Sequence, residues 1–456
     1  MASSVAILNP DLFRRLVPLV MLYSGRLGTA LIGLLILPVF SRQLGTEQFG
    51  AVAVILSMQA LLVMLDLGLS VSVGRDVASL KNEQIFRARA MLVHAEKILV
   101  RLYGALMGVA LLLNPWLDMP LNSATLLAVI LLFGLVTHQN ICQVALLARQ
   151  DYVWAGAAQL VGVVSRHLLT LAGFHLIEAT LDVFVWTQLL GAVLFAVSTR
   201  MRLLAKLPET SSEILLSSQP AARRLSMALL LQGVAGACVM QLDKPIVGAL
   251  TGAAQTAPYY LATVLSLTPL TFLAGPMVQF FQPKLMAALS KDEVSLEARQ
   301  LRFFLSSIVA TAFVPGLLLW LAAGPVTELW LRGLPEQPLV AEYTRVIVVG
   351  ATIGALGYVP HVLLVARQEY AFLASSSSLL TLMTLLATTW AAWRGDVRMV
   401  CYIYAVYHVT AAVVLWWRAR TLDATLRRVL APATPMALMA CAGFAGACFL
   451  LQYLLH

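Results

Sequence analysis

Apolar stretches of roughly 20 residues, the length needed to cross a ~30 Å hydrocarbon core, recur along the whole chain with only short polar breaks. They read as spans at 17–40, 49–73, 93–113, 123–147, 153–175, 182–199, 225–247, 258–282, 303–324, 341–365, 371–391, 399–417 and 434–454. Composition agrees. Of 456 residues, 60% are hydrophobic and 12% charged, with a mean hydropathy of +0.85. A water-soluble globule carries about 25% charged residues. The fold class is an all-α polytopic membrane protein, with no stretch left over for a soluble domain.

The spans fall into two halves that repeat each other. Ala148-Arg149-Gln150-Asp151-Tyr152 returns as Ala366-Arg367-Gln368-Glu369-Tyr370, each copy between two apolar runs. Pro38 and Gly45 recur at the same spacing as Pro245 and Gly252, and Gly74-Arg75 is echoed by Pro283-Lys284. The expected organisation is an N-terminal six-helix lobe at 1–200, a connector at 201–224, a C-terminal six-helix lobe at 225–417, and a basic segment with an unpartnered thirteenth span at 418–456. The Ile214-Leu215-Leu216 patch of the connector reads equally as a short interfacial helix or a loop. Duplicated membrane halves with a pathway between them are the usual build of a secondary transporter.

Lys and Arg placement sets the orientation. With the N-terminus in the cytoplasm, 22 of the 31 basic residues fall in cytoplasmic segments, and only Arg42, Arg332, Arg394 and Arg398 on the far side. That asymmetry also accounts for the net charge of +9, which is not read as nucleic-acid binding. The first apolar stretch is too long for a cleavable signal peptide and carries Arg26. Cys142, Cys238, Cys401, Cys441 and Cys448 sit in apolar runs without a CxxC or metal-ligand spacing, so they read as packing residues. No metal and no cofactor is expected.

Inside the spans, Pro38, Pro245, Pro269, Pro276, Pro315 and Pro360 each remove a helix hydrogen bond and tend to kink the chain. An ionised side chain at mid-bilayer costs roughly 2.5–3.5 kcal/mol, so one placed there faces a cavity or a partner. Arg26, about ten residues or ~15 Å into the first span by helix rise, and Arg166, near mid-depth in the fifth, are the best candidates for a cavity. Asp66 balances an arginine or caps an interrupted helix end. Asp243 and Lys244, about 100° apart on a helix, need not pair with each other. His138, His167, His361 and His408 read mainly as packing residues, and Arg101 as a side chain that snorkels. There is no Gly-rich phosphate loop, no deep carboxylate pair at catalytic spacing and no metal cluster, so nothing calls for an enzyme.

Several stretches together resemble one family. They are Arg26-Leu27-Gly28; Ser41-Arg42-Gln43-Leu44-Gly45-Thr46-Glu47-Gln48-Phe49-Gly50; Leu65-Asp66-Leu67-Gly68-Leu69-Ser70 followed by Arg75; and Leu242-Asp243-Lys244 leading to Gly248, Gly252, Tyr259-Tyr260 and Pro283. The order is similar to Wzx-type oligosaccharide flippases, the polysaccharide-exporting branch of the superfamily that holds multidrug extruders and lipid II flippases. The resemblance covers most of residues 11 to 417; the thirteenth span departs from its twelve-helix pattern. It implies two six-helix lobes in a V around a central cavity, working by alternating access in the bacterial inner membrane. It implies a substrate of undecaprenyl-pyrophosphate carrying an oligosaccharide, turned to the periplasmic leaflet for O-antigen, lipopolysaccharide or exopolysaccharide synthesis. On this reading Arg26, Arg166 and Lys244 bind the pyrophosphate, since cations, and guanidinium above all, suit a diphosphate. Asp66 and Asp243 are then the candidate ion-coupling or charge-balancing groups. Partners would be membrane lipids, a coupling H+ or Na+, and a polysaccharide polymerase.

The alternative is a multidrug or metabolite antiporter of the same superfamily, which should show a surplus of deep acids. Deep basic residues here equal or outnumber Asp66 and Asp243. A membrane glycan polymerase or ligase would need a larger outward loop than this chain offers, and a channel would need a repeated polar filter.

Overall fold

The computed structural model describes residues 10–66, 69–79, 86–113, 122–207, 227–289 and 294–455, and among these there is no strand. In a water-free medium the helix satisfies every backbone group within its own segment. The chain forms two compact units, Met1–Ile36 with Leu62–Arg223, and Leu37–Leu61 with Arg224–His456.

The elements up to the connector are α1 (Pro10–Met64), α2 (Leu69–Ser79), α3 (Phe86–Leu113), α4 (Ser123–Ala148), α5 (Tyr152–Leu176) and α6 (Leu181–Lys206). After it come α7 (Met227–Gln241), α8 (Asp243–Thr251), α9 (Ala253–Leu289), α10 (Val294–Ile308), a π turn (Val309–Phe313), α11 (Val314–Leu321) and α12 (Ala323–Trp330). The rest are α13 (Gln337–Gly354), a 3-10 turn (Ala355–Gly357), α14 (Tyr358–Ala366), α15 (Tyr370–Trp393), α16 (Val397–Leu422), α17 (Ala424–Leu430) and α18 (Ala433–Leu455).

Among the described residues ten helices are long and apolar enough to cross a membrane. This is fewer than the thirteen spans read from sequence, for physical reasons. The first span and most of the second run together as α1, through a turn at Gly45. The third, α3, carries Glu96, Lys97 and Arg101, and the seventh is cut between Gln241 and Asp243. The connector patch Ile214-Leu215-Leu216 lies outside the described residues.

The repeat is written into the backbone. Gln150 (φ 60°) and Gln368 (φ 57°), the middle residues of the two pentapeptides, are the non-glycine residues with positive φ among those described. Each ends a helix in the left-handed cap geometry. Asp151 N–H donates back to Leu146 O (3.1 Å), and Glu369 N–H to Leu364 O (3.0 Å). The acid after each glutamine then holds the next helix but one: Asp151 pairs with Arg202 of α6 at 3.0 Å, and Glu369 with Arg418 of α16 at 2.7 Å. Gly45 (φ 75°) and Gly252 (φ 90°) repeat likewise, at turns that an L side chain would strain.

Other spans are interrupted. The second breaks after Met64, and Asp66 caps the start of α2, its Oδ2 accepting from Ser70 N–H at 2.9 Å. Pro315 stands next to the π turn, and Pro360 falls two residues into α14, after the 3-10 turn. Pro269 and Pro276 sit inside α9, which remains one helix.

One segment departs from the lobe expected at 1–200. Residues 37–61 belong with the C-terminal unit. Glu336 is 3% exposed. Its Oε1 accepts from the Ser41 hydroxyl, and its Oε2 from the Thr46 hydroxyl at 3.2 Å. Arg42 donates to Arg332 O at 2.7 Å. Gly50 lies directly on the Ala253 backbone with no room for a Cβ, and Phe49 meets Tyr260 edge-on at 6.4 Å.

Candidate functional site

In the N-terminal unit, α5 turns one face toward α6. Gly162 packs on Phe195, Arg166 on Gly191, Thr170 on Thr187 and Gln188, and Gly173 on Thr187. These positions follow the three- and four-residue steps of one helix stripe. The Arg166 stem fills the space that a Cβ on Gly191 would need. Arg166 is the fifteenth residue of a 25-residue helix, too far from either end for the head to snorkel. Its Nε is buried without a hydrogen-bond partner, and no carboxylate pairs with it among the described residues. A cation so placed holds unused donors in a medium where charge is expensive.

Arg26 lies on α1 beside this helix. Gly25 packs onto Gly156, at 2.5 Å from an added Cβ to the carbonyl oxygen, and Gly28 packs onto Leu160. The two helices run parallel in this register, so Arg166 sits about nine residues, or ~14 Å, farther along than Arg26. The Arg26 side chain is outside the described set.

The C-terminal unit holds a different arrangement. At the α7–α8 break, Lys244 (3% exposed) and Asp243 (2%) do pair, at 2.9 Å, contrary to the expectation that they need not. The helix stops at Gln241, and the Lys244 side chain reaches back across the gap to donate to Met240 O at 2.7 Å. Tyr259 donates its hydroxyl to the Asp243 Oδ2 at 2.5 Å, and the ammonium lies 5.9 Å and 5.6 Å from the ring centres of Tyr259 and Tyr404. Lys244 is thus neutralised by its neighbour. Below it, His408 packs on Tyr404 at 4.8 Å, and Gln232 is hydrogen-bonded to His361 at 2.9 Å. Both histidines line a cavity of about 300 Å³ with Met240, Thr271, Tyr358 and Tyr407.

A cluster that sequence reading missed joins α3, α4 and α6. Glu96 accepts from Arg200 Nε (2.6 Å) and Nη2 (3.1 Å), with His138 Nε2 at 2.9 Å from the same carboxylate. Nothing in one sequence ties positions 104 residues apart, although a glutamate inside an apolar run is itself a sign of a partner.

These helices define a class. The fold is shared with solved membrane transporters. A multidrug-resistance MATE transporter in an inward-facing conformation superposes with a TM-score of 0.69 at 14% identity, covering 91% of this chain and 99% of that one. The lipid II flippase MurJ, inward closed, gives 0.68 at 10% identity, with 96% and 100% covered. A superfamily transporter from Pyrococcus furiosus with a binding pocket of reversed polarity gives 0.63 at 14%, with 90% and 95% covered. No curated protein matches. Residues 19–283 match the family described as polysaccharide biosynthesis protein, and the chain belongs to that family.

Proposed function

We propose that this multi-pass membrane protein moves undecaprenyl-pyrophosphate-linked oligosaccharide from the cytoplasmic to the periplasmic leaflet of the bacterial inner membrane. Its N-terminus is then cytoplasmic, the product feeds a surface polysaccharide, and two lobes, at 1–200 without the 37–61 segment and at 225–417 with it, act by alternating access. The observation that carries this reading is Arg166, a mid-helix guanidinium with no carboxylate partner among the described residues. It suits a diphosphate because it stays charged and donates in a bidentate fork. Arg26 joins it in the proposed site. Lys244, engaged by Asp243, takes part only if that pair opens.

The antiporter alternative draws on the MATE likeness, and the fold carries pockets of either sign, as the Pyrococcus furiosus transporter indicates. Cation export needs a deep carboxylate at the substrate's disposal. Asp243 is committed to Lys244 and Tyr259, and Asp66 caps α2. That balance favours an anionic substrate. Deleting the gene should leave lipid-linked oligosaccharide on the cytoplasmic leaflet, abolish surface glycan, and leave sensitivity to cationic dyes unchanged. Raised dye sensitivity with intact glycan would hand the function to the antiporter and make the basic residues partners of Asp66 and Asp243.

A further inference from the structure

Between α16 and α18 the C-terminal unit leaves an open cleft of about 630 Å³. Its walls are Ala412, Val413 and Trp416 on one side and Ala437, Leu438 and Cys441 on the other, with Ile353 and Leu356 as the floor. Trp416 is fixed there, its indole N–H donating to Leu356 O at 3.0 Å. α18 is fixed too, by Ala437 and Phe444 in the hydrophobic core and by Phe444 edge-on to Phe313 at 5.5 Å. It therefore cannot roll inward to fill the gap without giving up that packing. The lining is apolar, and in a bilayer the material at hand to make dispersion contacts with it is an acyl chain.

The rim is chemically distinct. Arg420 and Arg427 stand at one end of the cleft with Thr421, and among the described residues no carboxylate lines it. Arg427 Nε donates to Arg420 O at 3.3 Å, which ties the two residues together. Neighbouring arginines are treated differently by the fold: Arg418 pairs with Glu369, and Arg367 with Asp423. The two at the rim have no acidic partner among the described residues and flank the polar edge of an apolar slot, at the basic end of α16 where headgroups lie.

We propose that this cleft is a binding site for a resident anionic phospholipid, its acyl chain along Trp416 and Leu438 and its phosphate between Arg420 and Arg427. Such a lipid bridges α16 and α18 and anchors α18 to the unit. The site lies wholly within the C-terminal unit, apart from the transport residues of α1 and α5, and the inference does not rest on the transport reading.

The test uses the full-length protein, delipidated in detergent, with phosphatidylglycerol and phosphatidylcholine as probes in native mass spectrometry and thermal unfolding. One tightly held phosphatidylglycerol and a rise in midpoint with that lipid alone are expected. R420Q/R427Q should weaken phosphatidylglycerol binding about tenfold or more, as for loss of charged hydrogen bonds. L438W, at an exposed position on the cleft wall, should expel the adduct while the lipid-free midpoint stays put. R428Q, exposed but outside the cleft, should change nothing. Equal weakening by R428Q, or full binding by L438W, would reduce the effect to surface charge and overturn the site. One-for-one displacement of phosphatidylglycerol by a polyprenyl diphosphate would also overturn it, giving the cleft to a transported lipid.

Discussion

The Arg166 side chain lies across Gly191 so closely that a single Cβ on that glycine would collide with Arg166 Cγ and stand 3.2 Å from its Cα. Glycine on α6 is thus what lets α5 carry an arginine at mid-helix. G191A should displace the guanidinium and cut surface-glycan export about tenfold or more, a barrier of ~1.4 kcal/mol or above, with the protein still inserted at wild-type level. R166A should abolish export, as should R26A, while R166K keeps part of it because charge survives without the fork. Quantified surface polysaccharide in a deletion strain, beside the amount of protein in the membrane fraction, checks all four. Full export by G191A, R26A and R166A would move these residues to a packing role.

The buried Asp243–Lys244 pair predicts a non-additive pattern in stability. Removing one partner strands a charge and costs about 3–5 kcal/mol, whereas replacing both with apolar residues is often near neutral. K244M alone should therefore lower the unfolding midpoint in detergent more than D243L/K244M does. Similar losses in the two would show that the pair is not held dry by Tyr259 and Tyr404.

Both pentapeptide glutamines sit in a conformation that disfavours side chains by roughly 1–2 kcal/mol. Gln150→Gly and Gln368→Gly should each raise stability by up to ~1 kcal/mol, less the entropy glycine loses on folding, whereas the alanine variants should not. Thermal unfolding of the four variants decides it, and a gain from alanine equal to that from glycine would refute the account.

Glu336 predicts how residues 37–61 are held. E336A should loosen residues 37–61, seen as faster hydrogen exchange there, because the Ser41 and Thr46 hydroxyls lose their shared acceptor at about 1–3 kcal/mol. E336Q should retain most of the protection. Unchanged exchange across residues 37–61 in E336A would show that this contact does not hold the segment.

Much of this was legible in the sequence because the bilayer allows few solutions. The duplicated pentapeptide and the repeated glycines at 45 and 252 are local signals, and each appears in the backbone, whereas the thirteen spans read from sequence become ten helices of spanning length among the described residues. Arg166 stood out because charge in an apolar run is rare. The Lys244 pairing was misjudged because ideal helical spacing separates neighbours, and the break at Leu242 was not foreseen. Contacts joining distant positions, such as Ser41 with Glu336 or Glu96 with Arg200, depend on packing that no single sequence reveals. The broken spans share that cause, since Asp66 declares itself a cap only once Ser70 is seen to donate to it.

The most direct test of the central claim is leaflet-resolved movement of the proposed cargo. The purified protein, reconstituted into vesicles that carry a fluorescent undecaprenyl-pyrophosphate oligosaccharide, is assayed by the fraction of sugar accessible to an external glycosidase over time. Wild type should bring inner-leaflet sugar to the outside, and R166A should leave it protected. Vesicles in which the sugar stays protected with the wild-type protein, while a lipophilic cation is carried across in its place, would contradict the account.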